Sequence, residues 1–174
     1  MNYAEQLLKI HSRANADYIL EHVLEDKRRV RTLMDAFLKG EYRVVQRSAM
    51  IVGDLGRAEP AWLKPWHAAM LAAADPAPHP AVSRCVMRYF SELPLSAIGE
   101  EDRGPLLDLA YRLLENPAEA VAIRVFSMTV VFNFCALYPE LKDELRGIIE
   151  LTIAEGTTPG FRSRGGKILA KLGR

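Results

Sequence analysis

The chain has little of what marks a specialised class of protein. Two cysteines in 174 residues are too few for a disulfide framework. Both Cys85 and Cys135 fall inside apolar helical patterns, where small core residues are expected rather than a reactive pair. Long hydrophobic runs are missing: stretches such as Val130-Val131-Phe132 and Ala68 to Ala74 fall far short of the roughly 20 residues that span a bilayer. Charge of one sign is missing too. Lys and Arg number 23 against 22 Asp and Glu, a net charge of +1, so only a local basic face could attract nucleic acid or membrane. Met1-Asn2-Tyr3-Ala4-Glu5-Gln6 offers no basic stretch followed by an apolar one, so no secretory leader is read and a cytoplasmic protein is expected.

Signatures of catalysis are also scarce. His11, His22, His67 and His79 are scattered, and His22 with Glu21 and Glu25 reads as a surface cluster, not a metal site. There is no Gly-x-Ser-x-Gly elbow, no Cys/His pairing with local context and no acidic dyad. The stretch Gly160-Phe161-Arg162-Ser163-Arg164-Gly165-Gly166-Lys167-Ile168 fails as a phosphate loop. It puts one residue too many between its first glycine and Gly-Lys, has Ile168 where a hydroxyl is required, and follows no strand. No cofactor, metal or catalytic residue is assigned, and a binding protein is expected before an enzyme.

What is present is helical periodicity over almost the whole length. Hydrophobic residues at 49% and charged residues at 26% are ordinary globular usage, and the length supports one buried core without staples. Leu7, Leu8 and Ile10 form a first short apolar set and Tyr18, Ile19, Leu20, Val23 and Leu24 a second, with Asn15 or Asp17 as its expected cap. Val30, Leu33, Met34, Phe37 and Leu38 recur at helical spacing, and Gly40 is expected to end that helix in the left-handed conformation. Val44, Val45, Ser48, Ile51, Val52 and Leu55 line the next helix, with Gly56 read as its stop. From Pro60, a helix is expected to carry Trp62, Leu63, Trp66, Met70 and Leu71, and the prolines of 75–80 must break it. Residues 118–138 read as the longest helix, apolar on nearly every face and therefore buried. Gly156 stops the helix after it, and Thr158-Pro159 caps and opens the last.

Inside this pattern an arginine returns. Arg47, Arg84, Arg124 and Arg164 stand 37, 40 and 40 positions apart, each near the start of a helix, a spacing typical of repeated helical pairs. An opening proline or its equivalent, Val or Ala, then Arg, small or apolar residues and a final Leu or Phe recur in 45–55, 82–93, 121–132 and 161–172. In this the chain resembles the HEAT-repeat and armadillo-type proteins. The resemblance implies an all-α fold, a right-handed α-α superhelix of about four helical pairs. It implies one domain over 1–174, with 1–26 as an atypical N-terminal cap and 27–174 as repeats.

It also implies a function class: a non-enzymatic module that binds a protein or peptide along the face formed by the inner helices. The candidate binding face comprises Arg47, Arg84, Arg88, Arg124, Arg164 and Lys167 with the tryptophans Trp62 and Trp66. The repeated arginines are expected to act mainly as struts. Basic residues also gather at 27–31 and in Arg162, Arg164, Lys167, Lys171 and Arg174, so nucleic acid is the alternative partner. Some HEAT-like proteins are DNA glycosylases that excise alkylated bases. That chemistry would require an aspartate beside aromatics, for which Asp54 or Asp75 with Trp62 and Trp66 are the loose candidates. The far-ultraviolet circular dichroism spectrum is expected to be dominated by helix; a strand-dominated spectrum would overturn the class.

Overall fold

A computed structural model describes residues 1–173; Arg174 lies outside the described residues. The described residues form ten α-helices and no strand: α1 (Tyr3–Lys9), α2 (Arg13–Leu24), α3 (Val30–Lys39), α4 (Tyr42–Ala58), α5 (His67–Ala74), α6 (Pro80–Glu92), α7 (Glu100–Glu115), α8 (Val121–Phe134), α9 (Leu141–Ala154) and α10 (Pro159–Leu172). None is long and apolar enough to cross a membrane. The chain divides into two compact units, Met1–Tyr89 and Phe90–Arg174.

In the first unit α4 is the central element: α1, α2 and α3 all pack on it. Its stripe Val44, Val45, Ser48, Ile51, Val52 and Leu55 is buried as its spacing predicts, against Ile19, Val23, Leu33, Met34 and Phe37, none of which is measurably exposed. Each such side chain contributes about 1.5–3 kcal/mol by leaving water. In the second unit α8 has the same role, packed by α7, α9 and α10. Its buried positions Ile123, Met128, Val130, Val131 and Phe134 meet Leu106, Leu109, Leu113, Leu145, Ile149 and Phe161, the core side chains of those three helices.

Several boundaries differ from the sequence reading. Helix α2 begins at Arg13, one turn earlier than expected, because Ser12 caps it by accepting from Asn15 N at 3.2 Å. Asn15 is therefore not a cap. Its buried carboxamide donates to Gln6 O (3.1 Å) and Ile10 O (2.9 Å) and accepts from Gln6 Nε2 (2.8 Å), pinning α1 to α2. Gly40 has φ −70° and ψ 169°, extended and not left-handed; a side chain there would strike Ala36 O and Val44 Cγ1. Gly56 does not stop α4, which runs to Ala58. It lets the Tyr89 ring lie where a Cβ would be 2.7 Å from Cδ2.

The helix expected from Pro60 is two 3₁₀ turns, Pro60–Trp62 and Lys64–Trp66, before α5. Pro65 has no N–H to bond the carbonyl four residues back and its ring crowds that carbonyl, which disfavours one continuous α-helix through it. Trp62 and Trp66 thus sit in successive tight turns, half-buried. The segment 118–138 is helical only over Val121–Phe134, and it is not buried all round: Val121, Leu137 and Tyr138 are exposed. The hydrogen bonds from Cys135, Leu137 and Tyr138 to the last turn close the helix into a turn after Phe134. Other signals hold as read. Gly156 has φ +97° and ends α9, while Thr158 Oγ1 accepts from Phe161 N at 3.4 Å with Pro159 in the first turn.

Two adjacent glycines of α10 give opposite expectations. A Cβ on Gly165 would lie 2.8 Å from Ile149 Cγ2, whereas one on Gly166 meets nothing within 4 Å. Gly165→Ala is expected to destabilise by about 1–3 kcal/mol through overpacking, and Gly166→Ala to stabilise by up to about 1 kcal/mol through helix propensity. Urea unfolding midpoints of the two variants check the sign of each.

Candidate functional site

The repeated arginines are not bonded alike. Each is placed by the same local rule, since the last carbonyls of a helix have no partner within it and need a donor from elsewhere. At the end of α1 the chain leaves in an extended conformation at Ile10, and Arg47 Nη1 donates to Leu7 O at 2.6 Å and more weakly to Leu8 O at 3.4 Å. At the end of α7, Arg124 Nε donates to Leu114 O at 2.8 Å. The Arg124 guanidinium also lies 4.7 Å above the centre of the Phe161 ring, and burial lowers its pKa from the ordinary guanidinium value. These two are struts that complement the carbonyl ends of helices.

The other two stand where that need is met by different donors. At the end of α5, Ala74 O accepts from Ser83 Oγ at 2.7 Å, and the neighbouring Arg84 is exposed. At the end of α9, Leu151 O and Ile153 O accept from Glu155 N and Gly156 N. Arg164, exposed, reaches Thr129 Oγ1 on α8 at 3.1 Å. Arg88 is half-buried on α6, and Lys167 is exposed on α10.

Other basic residues are engaged internally. Arg28 is hydrogen-bonded to both oxygens of Asp26 at 2.7–3.0 Å, which holds that carboxyl at about 2. Arg29 Nη1 donates to His22 O in the last turn of α2 at 2.6 Å and to Glu25 Oε2 at 2.5 Å. The buried Asp54 accepts from Arg13 at 2.8 Å and from Arg57, one oxygen to each, and Arg13 bridges on to Asp17 at 2.7 Å. Asp75 is exposed in the break before α6.

Within the second unit these placements leave a continuous strip. Val121, Val125, Thr129 and Phe132 of α8 are exposed or half-buried, and Arg164, Lys167 and Lys171 of α10 are exposed. The two rows meet at the Arg164–Thr129 bond and where Lys171 Nζ lies 5.8 Å from the Phe132 ring centre. Val125, Thr129 and Phe132, four and three residues apart, share a helix face, as do Arg164, Lys167 and Lys171, three and four apart. Beyond Phe132 the strip opens into a groove of about 680 Å³ lined among others by Leu93, Leu95, Asn133, Ala136, Lys142 and Lys171. Sequence reasoning assigned neither Lys142 nor Phe132. Lys142 carried a signal all the same: it is a cation in the first turn of α9, the wrong end of the helix dipole.

Cys85 and Cys135 are free and buried; burial pushes the Cys85 thiol up to about 12 and the Cys135 thiol above its ordinary value. Among the described residues no group of three or more His, Cys, Asp or Glu is placed to hold a metal ion.

Paired helices packed on an arginine-bearing inner helix in each unit define an α-helical repeat protein. Residues 3–172 match the family model of the HEAT repeat domain, and the chain belongs to that family. Neither the curated proteins nor the solved structures gave a match to the chain.

Arg124→Met keeps the aliphatic stem and removes the bond to Leu114 O. It is expected to cost about 1–2 kcal/mol, the value of a charged hydrogen bond at a half-buried site. Arg84→Met is expected to fall within about 0.5 kcal/mol of the parent. Equilibrium urea denaturation of the two proteins checks the contrast.

Proposed function

We propose that the chain is a non-enzymatic binding module that recognises a peptide or protein segment along its inner helices. The observation that carries this reading is the strip on α8 and α10, an apolar row of Val121, Val125 and Phe132 bordered by Arg164, Lys167 and Lys171. Such a surface suits an amphipathic segment with acidic residues: apolar area supplies affinity and the basic border supplies orientation and rate. Of the arginines in the candidate face, Arg84 and Arg164 are the ones available for a partner. Arg47 and Arg124 serve the fold through the carbonyls of Leu7 and Leu114.

The same basic row is what a nucleic-acid reading would use. Less supports that reading, because Asp54, one of the two aspartates read as candidates for base excision, has its oxygens engaged by Arg13 and Arg57, and the basic run at 27–31 is turned partly onto Asp26 and Glu25. A cytoplasmic location is consistent with the reading and is proposed with it.

A fluorescence-anisotropy titration separates the two partners. A long labelled peptide alternating leucine with glutamate is expected to bind, and to bind less tightly to Arg164→Glu/Lys167→Glu. A labelled DNA duplex is expected to show no salt-sensitive binding; a steep fall of duplex affinity with salt would favour the nucleic-acid reading instead.

A further inference from the structure

The groove at the carboxyl ends of α6, α8 and α10 has a chemistry of its own. Its walls come from the α6 end and following turn (Leu93, Pro94, Leu95), the α8 end (Phe132, Asn133, Ala136), Lys142 at the start of α9 and Lys171 of α10. Three helices end here, so the ordinary use of a lysine would be to neutralise their carbonyls. Other donors already serve several of those carbonyls. Ser91 O accepts from Asn133 Nδ2 at 3.1 Å. Val131, Phe132, Asn133 and Phe134 give their carbonyls to the N–H groups of the following turn. Leu169 O and Lys171 O accept from Gly173 N, and Leu172 O from Arg146 Nη2 at 3.2 Å.

Among the described residues, neither lysine is paired with a carboxylate. In the first turn of α9 Asp143 pairs with Arg146 at 3.0 Å and Glu144 accepts from Tyr111 Oη at 3.2 Å. Lys171 is held over the Phe132 ring at 5.8 Å, a contact that fixes the ammonium above the floor of the groove without neutralising it. The groove therefore combines an apolar floor, large enough for a bulky side chain, with two ammonium groups that are not paired with any carboxylate among the described residues. Glu92 lies on the α6 side, so an acidic ligand must orient its carboxylates toward α9 and α10.

We infer that this groove is the anchor site for a peptide segment in which a large apolar side chain is flanked by carboxylates, the side chain on Phe132 and Leu93 and the carboxylates on Lys142 and Lys171. The inference rests on the binding-module reading and narrows it to one place and one chemistry. Apolar contact with the floor and two charge pairs at its border would act together, and the charge pairs would weaken as salt rises.

The test is anisotropy with a short labelled peptide holding one phenylalanine between aspartates, beside the long leucine–glutamate peptide. The short peptide is expected to bind the parent chain and to lose about tenfold in affinity for each of Lys142→Glu and Lys171→Glu. Binding should be blocked by Ala136→Trp, which fills the groove from an exposed position, and should be little changed by Lys64→Glu, an exposed lysine outside the strip and the groove. Peptides with lysine for aspartate, or serine for phenylalanine, are expected not to bind. Circular dichroism confirms that each variant is folded, and Lys142→Gln and Lys171→Gln replace any that is not.

If the long peptide binds and the short one does not, or if only Arg164→Glu/Lys167→Glu weakens binding, the groove is not the anchor while the binding module stands. If neither peptide binds, both readings fall. Binding of a DNA duplex that depends on Lys142 and Lys171 and displaces the short peptide would overturn the inference in favour of phosphate recognition.

Discussion

A helix that ends must hand its last carbonyls to some donor, and in this chain the donor is repeatedly an arginine from another element. Arg47 serves α1, Arg29 serves α2, Arg124 serves α7 and Arg146 serves α10. A guanidinium suits the task because it presents several donors in a fixed plane, never loses its charge at ordinary pH, and is weakly hydrated enough to be half-buried. Its positive charge also complements the negative end of the helix dipole. The bond fixes where one helix ends against the side of the next, which apolar contact alone leaves loosely determined, since burial is proportional to area and has no direction.

Apolar packing supplies most of the stabilisation and the arginines supply register. The core side chains of α4 and α8 each contribute about 1.5–3 kcal/mol, comparable singly to one charged hydrogen bond and far larger in sum. Close approach is then set by absent side chains. Gly56 admits the Tyr89 ring and Gly165 admits Ile149. Tyr89 is itself fixed: its hydroxyl donates to Pro60 O at 2.8 Å, so it accepts from His67 Nε2 at 2.9 Å, which places a proton on that nitrogen. Burial raises the pKa of that phenol, which favours the protonated hydroxyl that donates to Pro60 O.

The repeat was legible because the same physical demand recurs at nearly constant spacing, and apolar residues at helical period around each arginine identified the inner helices. The class was therefore readable, as were the caps at Thr158 and the stop at Gly156. What periodicity could not distinguish was which glycine ends a helix and which makes room inside one, because that depends on a distant neighbour: Tyr89 for Gly56, Ile149 for Gly165. Nor could it place the tryptophans. Trp62 and Trp66 fit a helical face by spacing, but Pro65 breaks the ladder between them. The role of Asn15 was hidden for a similar reason, since Ser12 begins the helix and leaves Asn15 to join Gln6 and Ile10.

The candidate surface follows from the same accounting of carbonyls. An arginine at the repeated position is a strut when the preceding helix end has no other donor, as at Leu7 and Leu114. Where Ser83 serves Ala74, or where Glu155 and Gly156 close α9 from within, the arginine at that position is released toward solvent. Arg84 and Arg164 are basic for the same sequence reason as Arg47 and Arg124, but only the first two have charge to offer a partner. Lys142 and Lys171 lie near helix ends where Asn133, Arg146 and the closing turns serve several of the carbonyls. A cation that structure does not require, beside apolar area that structure does not cover, is where this repeat protein has the most to gain from a ligand.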